Sequence, residues 1–391
     1  MFELFRSGRK NKTDKGITNQ PVSPPSPSPP PPPPVVASRR KFQIPVMDNF
    51  KKKRLDSLDS WTSRLEQLHA TYRPRSSDDG NDRWEADFSQ LFIGNKFATG
   101  TDSRIYRGIY KNTAVAVKLI KVSEQEDENR ERLEEQFDSE VNLLIKLSHP
   151  NVVQIIAACR KPPVYFIITE YMSQGTLKMY LHEKGPYSLT MEIVLRLALD
   201  ISRGMKHIHS LGVIHRDLKS DNLLLNDEMR VKIGDFGTSC IANECRGNKC
   251  KMAGTYRWMA PEMFKEKVYT KKVDIYSFGI VLWELTTALI PFQGMTPIQA
   301  AYAACEKDMR PKLATNCSPA INKLIENCWA ANPAKRLAFT DIVSILEMYE
   351  DCLNKGVPLT SSYSDQLQTE VSFSDRLKGF ILPGSSIPLH A

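Results

Sequence analysis

The chain has 391 residues, of which 41% are hydrophobic and 25% are charged. This composition is typical of a globular protein, and no run of apolar residues approaches the roughly 18 that a membrane span needs. The net charge of +8 is concentrated at one end, because residues 1–60 hold twelve Lys or Arg against five Asp or Glu. The remainder is close to neutral, which argues against a nucleic-acid-binding domain with a basic face.

Four segments follow one another along the chain. Residues 1–54 are rich in Pro, Ser and basic side chains, and we predict a disordered tail with a stiff polyproline II stretch. Residues 55–90 contain an amphipathic helix and a linker. The globular pattern covers residues 91–353, and residues 354–391 form a loose Ser/Thr-rich tail. The apolar stripe of the helix consists of Leu55, Leu58, Trp61, Leu65 and Leu68.

The N-terminal tail allows two kinds of contact. Its proline run fits an SH3 or WW domain, or serves only as a spacer. The basic cluster from Lys51 to Arg54 fits an anionic membrane, or is a solvated charge run. The N-terminus has no apolar signal sequence, and we therefore expect a cytoplasmic protein, partly at the plasma membrane through this tail. The eight cysteines predict reduced thiols.

Strands dominate the first part of the globular segment and helices the second. Residues 94–107, 113–120 and 165–171 are rich in β-branched and aromatic side chains and predict strands. A charged helix over residues 127–148 interrupts them. Further helices are predicted at 189–211, 273–286, 296–307, 319–330 and 340–353. The order indicates an α+β fold in two lobes.

The segment from His215 to Asn222 reads H-R-D-L-K-S-D-N and is the most specific pattern in the chain. It matches the catalytic loop of protein kinases, H-R-D-L-K-x-x-N. Asp217 supplies a carboxylate for a substrate hydroxyl, and Asn222 supplies an amide for a metal ion. Lys219, between them, neutralises charge on a transferred phosphoryl group. The pattern therefore predicts phosphoryl transfer.

Two further motifs complete this chemistry. Lys118 ends a V-A-V-K strand and is the candidate that binds the α- and β-phosphates. A carboxylate must orient it, and we favour Glu140 over Glu134 and Glu135 because its distance from Lys118 and the L-S-H-P-N segment that follows at 147–151 match the order found in kinases. Asp235 begins a D-F-G triplet and is a second candidate metal ligand.

The expected phosphate-binding loop departs from G-x-G-x-x-G. Ala98 and Ser103 occupy the positions of the first and third glycines, and only Gly100 keeps its place. Glycine lets backbone N–H groups approach phosphate closely. We therefore expect the loop to cover ATP with weaker or differently shaped binding.

In these motifs the chain resembles protein kinases of the tyrosine-kinase-like group, specifically plant Raf-like MAP kinase kinase kinases. The segments 254–262 and 274–279 are similar to that group. The stretch 84–97 and the altered loop resemble the subfamily that includes the high-leaf-temperature kinase of guard cells. This resemblance covers residues 90–353. It implies the bilobal protein kinase fold, with a small β-rich lobe containing one regulatory helix and a large helical lobe.

The resemblance implies ATP as phosphate donor and Mg²⁺, with Mn²⁺ as an alternative, at Asn222 and Asp235. It places Thr169 at the gatekeeper position and Glu170 and Met172 in the hinge. It also implies that Arg336 pairs with Glu262 and that Asp274 braces the catalytic loop. The implied nucleotide contacts are Ala98, Gly100, Ser103, Ile105, Ala116, Lys118, Thr169, Glu170, Met172, Asn222, Leu224 and Asp235.

The implied function is that of a serine/threonine protein kinase in plant signalling, including the stomatal response to CO₂. Lys219 favours serine and threonine, whereas Trp258 and Met259 also occur in tyrosine kinases and leave dual specificity open. The implied partners are MAP kinase kinases or other signalling proteins as substrates, and a regulatory MAP kinase. The alternative is a pseudokinase scaffold that only binds, for which the altered glycine loop is the single argument.

The segment between Gly237 and Ala260 contains few hydroxyl groups. They belong to Thr238, Ser239, Thr255 and Tyr256, and residues 241–251 contain none. Arg216 supplies a cation that could bind a phosphate. We therefore expect the segment to be ordered through one of these residues or through docking of another segment. The roles of Cys240, Cys245 and Cys250 are left open, with exposed non-functional thiols as the simplest reading.

Overall fold

A computed structural model gives the fold. The residues that it describes are 84, 86–100, 103–121, 127–161, 164–242, 255–265 and 268–359. The predicted N-terminal tail and amphipathic helix, Cys245, Cys250 and the end of the C-terminal tail lie outside these residues. Within the described part of the chain, no helix is both long and apolar enough to cross a membrane.

Five antiparallel strands form one sheet in the order β1–β2–β3–β5–β4. Their bounds are β1 Leu91–Thr99, β2 Ser103–Tyr110, β3 Thr113–Lys121, β4 Ile155–Lys161 and β5 Val164–Glu170. The region predicted as one strand over 94–107 is thus two strands. The backbone N–H of Gly100 donates to the carbonyl of Ser103 at 2.8 Å and closes the turn between them.

The two faces of this sheet have different roles, because side chains alternate along a strand. One face of β3 is buried and carries Val115, Val117 and Leu119. Phe88 covers this face and meets the ring of Phe166 edge-on, with the ring centroids 4.8 Å apart. Ala116 and Lys118 alternate with the buried residues and therefore face the opposite side. Phe88 lies in the predicted linker, so packed structure begins before residue 91.

Helix α1, Asp127–Lys146, packs beside the sheet. Leu133, Phe137 and Leu144 are buried in the main core and lie on one face of the helix. The ring of Phe137 contacts that of Tyr165 in β5, with centroids 5.3 Å apart. This packing fixes the helix rotation and so decides which of its carboxylates can reach the sheet.

Helices dominate the second lobe. They are α2 Leu177–Lys184, α3 Met191–Ser210, α4 Pro261–Phe264, α5 Lys272–Thr287, α6 Pro297–Glu306, α7 Pro319–Cys328 and α8 Phe339–Asn354. Helix α5 is buried along almost its whole length and forms the centre of this lobe. Phe278 of α5 and His209 of α3 both contact the ring of Phe339 in α8, at 5.4 and 5.0 Å between centroids.

Two short antiparallel pairs pack against α2 and α3 of the second lobe. Their strands are β6 Val213–Ile214, β7 Leu223–Leu225, β8 Val231–Ile233 and β9 Cys240–Ile241, with β6 paired to β9 and β7 to β8. The predicted α+β fold with a strand-rich lobe followed by a helical lobe is confirmed. Strand β4 and helix α2 were not predicted. Cys240 is disulfide-bonded, which corrects the expectation of reduced thiols for this residue.

The implied pair of Arg336 and Glu262 is present, with Arg336 fully buried and Glu262 mostly so. The guanidinium of Arg336 donates to both carboxylate oxygens of Glu262, at 2.6 and 2.9 Å. It also donates to the carbonyls of Ala330 and Lys272, at 2.8 and 2.9 Å. The guanidinium has five N–H donors, which is sufficient for these four acceptors. The ion pair is therefore intact although the residue after Arg336 is Leu337 rather than proline.

We predict that Arg336→Met lowers the free energy of unfolding by about 3–5 kcal/mol, because Glu262 would stay buried without its partner. Urea unfolding followed by circular dichroism measures the change. The matched control is Arg203→Met, which breaks an exposed pair with Glu347 and should change stability by about 1 kcal/mol or less. Equal losses in the two variants would contradict the prediction.

Candidate active site

Lys118 lies at the centre of an ion-pair network between the lobes. Its Nζ donates to both carboxylate oxygens of Glu140, at 2.7 and 2.8 Å, and to Oδ1 of Asp235 at 3.3 Å. The favoured carboxylate therefore contacts the lysine. The competitor Glu134 instead binds Arg130, Arg160 and Tyr165. Glu135, the other competitor, also lies on α1 and is exposed.

Electrostatics keep the lysine charged. Burial alone would lower the pKa of Lys118, but the nearby carboxylates of Glu140 and Asp235 raise it above its usual value. The pKa of Asp235 is held below its usual value, since attraction from Lys118 and His215 outweighs the opposing effect of burial. Both groups are therefore ionised near neutral pH, as phosphate and metal binding require.

A contact outside the predicted set fixes the same corner. Gln136 lies one helical turn before Glu140, and its Nε2 donates to the carbonyl of Gly237 at 2.9 Å. A Cβ added at Gly237 would lie 3.2 Å from this Nε2 and 3.3 Å from Oε2 of Glu140. The glycine thus lets α1 approach the D-F-G segment closely. The spacing of four residues between Gln136 and Glu140 was the available sequence signal.

Asp274 of α5 holds the backbone of the catalytic loop. Its carboxylate accepts the N–H groups of His215 and Arg216, both at 2.9 Å, and lies 2.8 Å from Nε2 of His209. Burial opposes ionisation, but the bonds to His209 and His215 hold the pKa of Asp274 below its usual value. The implied bracing role of Asp274 thus has a direct geometric basis.

Three side chains converge on Asp217. Lys219 Nζ donates to its Oδ2 at 2.7 Å and to Thr255 Oγ1 at 2.5 Å. Thr255 Oγ1 in turn donates to Asp217 Oδ1 at 2.9 Å. Asn222 Nδ2 donates to Asp217 Oδ2 at 3.1 Å and to its carbonyl at 2.9 Å. The predicted residues Asp217, Lys219 and Asn222 are therefore brought together. The bridging role of Thr255 was missed, because it lies 38 residues away in sequence.

The donor set of Asn222 and Asp235 fits a hard divalent cation. The amide nitrogen of Asn222 is committed to Asp217, which leaves its side-chain oxygen as the atom able to bind a cation. The backbone of Asn222 accepts the N–H of Gly234, next to Asp235, at 2.9 Å. Carboxylate and amide oxygens suit Mg²⁺ and Mn²⁺. No cluster of His, Cys, Asp or Glu among the described residues offers a rival site.

The altered phosphate loop keeps a hairpin shape. Ala98 pairs with Ile105 across strands β1 and β2. A Cβ at Gly100 would lie 2.7 Å from Oγ of Ser103, so a larger residue here would require the serine hydroxyl to move. Residues 101 and 102 lie outside the described residues.

The residues predicted to contact adenine lie on strands β3, β5 and β7 and directly after β5. Ala116 lies opposite Thr169 in the β3–β5 register. The side chain of Glu170 is held by Lys232 Nζ at 2.7 and 2.8 Å and by the N–H of Gln154 at 2.8 Å. Met172, which follows strand β5, is buried. Leu224 forms an isolated backbone bridge with Thr176.

An aromatic pair at the hinge was not predicted. Phe97, directly before Ala98, contacts the ring of Tyr171 edge-on at 6.0 Å between centroids. The guanidinium of Arg107 lies 4.9 Å from the centre of the same tyrosine ring. These contacts tie β1 and β2 to the hinge beside the altered loop. The sequence signal was the exposed aromatic next to Ala98.

The segment after Asp235 is packed against the catalytic loop. The rings of Phe236 and His215 meet at 5.1 Å between centroids. Ser239 and Thr238 both donate to the carbonyl of His215, at 3.2 and 3.4 Å. Arg216 Nε donates to the carbonyl of Thr238. The candidate hydroxyl groups at 238 and 239 are thus engaged within the fold.

Two residues of the site adopt a backbone conformation that non-glycine residues rarely occupy. Arg216 has φ of 69° and Asp235 has φ of 62°. Such left-handed conformations cost about 1 kcal/mol or more for L-residues. Asp274 and Lys118, which contact these two residues, supply interactions that offset this strain.

We predict that Thr255→Ala lowers kcat for phosphoryl transfer about tenfold, the effect of losing roughly 1.4 kcal/mol of positioning energy at Asp217 and Lys219. KM for ATP should not change, because Thr255 contacts Asp217 and Lys219 rather than the residues predicted to hold the nucleotide. Thr255→Ser keeps the hydroxyl and should retain most of the activity. Steady-state kinetics on a generic protein substrate measures both values. An inactive serine variant would show that the methyl group, not the hydroxyl, matters.

Comparison with known proteins agrees with this geometry. The family model described as protein tyrosine and serine/threonine kinase matches residues 91–346. Over 350 residues the chain is 59% identical to the serine/threonine/tyrosine-protein kinase HT1 of Arabidopsis thaliana, covering 88% of this chain and 89% of that protein.

Two more distant relatives share only the kinase region. The serine/threonine-protein kinase STY17 of Arabidopsis thaliana is 41% identical over 68% of this chain, which spans about half of that protein's length (46%). The dual specificity protein kinase pyk3 of Dictyostelium discoideum is 36% identical over 73% of this chain and 20% of its own. The predicted Raf-like, high-leaf-temperature resemblance is confirmed, and the chain belongs to the protein tyrosine and serine/threonine kinase family.

Proposed function

We propose that this protein kinase transfers the γ-phosphate of MgATP to serine and threonine hydroxyls of proteins, with Asp217, Lys219, Lys118 and Glu140 as its catalytic residues. The single observation that carries the proposal is the convergence of Lys219, Thr255 and Asn222 on the Asp217 carboxylate. This arrangement holds the carboxylate of Asp217 next to the ammonium group of Lys219. It suits proton removal from a hydroxyl as negative charge develops on a phosphoryl group.

Each residue has a defined part in the reaction. Asp217 accepts the proton of the protein hydroxyl while the hydroxyl oxygen forms a bond to the γ-phosphorus. The bond from the γ-phosphorus to the bridging oxygen of the β-phosphate breaks at the same time, and ADP leaves. Lys219 neutralises charge on the moving phosphoryl group. Lys118, oriented by Glu140, binds the α- and β-phosphates. Asn222 and Asp235 would hold Mg²⁺, which supplies positive charge to the phosphate oxygens when bound.

The pseudokinase alternative has little support. Loss of catalysis usually follows from replacement of Lys118, Asp217 or Asp235, and all three are present. Lys118 also contacts both Glu140 and Asp235. The altered loop affects how tightly ATP is held and leaves the transfer machinery unchanged.

Two relatives favour tyrosine as a second acceptor. One is named a serine/threonine/tyrosine kinase and another a dual specificity kinase. Phosphoamino-acid analysis of autophosphorylated protein would test this directly. Phosphotyrosine that disappears in Asp217→Asn supports dual specificity, and its absence from active protein restricts the enzyme to serine and threonine.

The physiological setting rests on the resemblance alone. MAP kinase kinases or other signalling proteins as substrates, a regulatory MAP kinase and a role in the stomatal response to CO₂ all follow from the high-leaf-temperature subfamily. We further propose a cytoplasmic location, with membrane or SH3/WW contact through the basic and proline-rich residues 1–54. Deleting residues 1–54 and measuring sedimentation with anionic vesicles tests the membrane contact, since binding should disappear.

We predict that Lys118→Met and Asp217→Asn each reduce autophosphorylation and substrate phosphorylation at least about 100-fold. Lys118→Met removes the phosphate cation, and Asp217→Asn removes the proton acceptor with little change in shape. Transfer of labelled phosphate from γ-labelled ATP, with Mg²⁺ and with EDTA, measures the effect.

The matched control is Lys355→Met, which removes a lysine from an exposed pair with Asp351 and should leave the rate unchanged. Transfer that survives in Asp217→Asn protein, after purification to constant specific activity, would reject the proposed role of this residue.

A further inference from the structure

A second group of polar contacts joins α1 to the edge of the sheet, apart from those that α1 makes with the D-F-G segment. Arg160 of the edge strand β4 donates from Nη2 to Oε2 of Glu134 and from Nη1 to Oδ2 of Asp138, each at 2.8 Å. The hydroxyl of Tyr165 in β5 donates to Oε1 of Glu134 at 2.6 Å. We call Arg160, Glu134, Asp138 and Tyr165 the α1 latch.

The latch lies on a different side of α1 from the residues that face the site. Successive residues of an α-helix are turned by about 100°. Glu134 and Asp138 therefore share one stripe, whereas Gln136 and Glu140 share another, roughly 160° away. The buried apolar stripe of α1 lies between these two polar stripes and contains Leu133, Phe137 and Leu144.

This arrangement controls how far α1 can turn on the sheet. Apolar packing is non-directional, so the apolar stripe alone permits small rotations of the helix. The contacts of Gln136 and Glu140 hold one flank of the helix. Because the helix turns as one body, a rotation that moves Glu140 away from Lys118 also displaces the carboxylates of the latch. The latch therefore resists that rotation from the opposite flank.

The latch is an ion-pair network that remains accessible to solvent. Hydrogen bonds from Tyr165, Arg130 and Arg160 lower the pKa of Glu134 to about 2, so this carboxylate is ionised at neutral pH. The side chains of Arg160 and Asp138 are 48% and 43% exposed. An isolated surface pair contributes little to stability, whereas an arginine that joins two carboxylates in a network contributes more. We therefore expect a moderate effect that salt can weaken.

We propose that Arg160 is a positioning residue for phosphoryl transfer. Through the two carboxylates of the latch, it holds α1 in the rotation that keeps Glu140 paired with Lys118. Its partners among the described residues belong to α1 and β5, so it acts through the helix and not on the substrate. Glu134, the carboxylate that competed with Glu140 in the sequence, thus has a separate role. This inference rests on the proposed kinase function.

The test compares variants of the full-length chain. Arg160→Met keeps the alkyl stem and removes both ion pairs, whereas Arg160→Lys keeps the charge without the planar fork that donates to two carboxylates. Tyr165→Phe removes only the hydroxyl and keeps the ring that packs on Phe137. The matched control is Arg203→Met, which breaks an exposed pair with Glu347 in the second lobe. All rates are divided by the folded fraction measured by urea unfolding.

Loss of the latch should lower kcat/KM for ATP, because a smaller fraction of the molecules would hold Glu140 against Lys118. We expect about a fivefold loss in Arg160→Met, and about a twofold loss in Arg160→Lys and in Tyr165→Phe. The control should match wild type.

Salt distinguishes an ionic latch from packing by the arginine stem. Raising NaCl from about 0.05 M to about 0.5 M screens the charges of exposed ion pairs. The ratio of wild-type activity to that of Arg160→Met should therefore fall toward one. A ratio that stays constant would assign the effect to packing and reject the proposal.

Chemical labelling of Lys118 gives a readout that does not depend on activity. The pair with Glu140 keeps the Lys118 ammonium protonated, and a protonated amine does not react with an acylating reagent. Labelling of Lys118, measured by mass spectrometry, should be about threefold faster in Arg160→Met than in wild type. Glu140→Gln sets the upper limit, and Arg203→Met should label at the wild-type rate.

The proposal fails if Arg160→Met keeps wild-type kcat/KM, or if Arg203→Met loses as much. It also fails if Lys118 is labelled at the wild-type rate in Arg160→Met. Inactivity of the wild-type protein would instead reject the proposed kinase function, and the labelling comparison would still decide whether Arg160 holds Glu140 against Lys118.

Discussion

The catalytic loop depends on one buried carboxylate, that of Asp274. The loop consists of short strands and a single turn, which have too few backbone hydrogen bonds to hold a defined shape by themselves. Asp274 accepts two consecutive N–H groups of the loop and a histidine side chain. Because it projects from the buried helix α5, the loop inherits the rigidity of the most protected element of the lobe. Glu284 of the same helix accepts a hydrogen bond from Ser220 in the next turn.

The other half of the site is built by the sheet and α1. Pairing of β3 with β5 places Lys118 on the face opposite the apolar cluster, and packing of α1 turns Glu140 toward it. The two halves then meet at the D-F-G segment. The carboxylate of Asp235 accepts a hydrogen bond from Lys118, and the carbonyl of Gly237 accepts one from the side chain of Gln136. A small displacement of α1 would therefore change the positions of Lys118, the candidate phosphate-binding residue, and Asp235, the candidate metal ligand, together.

The sequence predicted the residues whose spacing is imposed by chemistry, and missed those brought together by packing. Asp217, Lys219 and Asn222 share one loop. Lys118 lies near the end of a strand and Asp235 follows one, so the local sequence pattern is enough to identify all five residues. Thr255 and Glu284 reach the loop only through the tertiary fold, so the sequence did not reveal their contacts, even though Thr255 lies in the recognised segment 254–262. Strand β4, with the sequence I-I-A-A-C-R-K, and the eight-residue helix α2 are too short to show a clear period.

The left-handed backbones of Arg216 and Asp235 give the site a conditional character. Neither residue is glycine, so an isolated chain of this sequence would rarely place its backbone there. The observed shape therefore carries local strain, which the contacts of neighbouring residues offset. An effector would not have to block the cleft to silence such an enzyme. Weakening one of these contacts would be enough, because the strain would then favour another backbone conformation at Arg216 or Asp235.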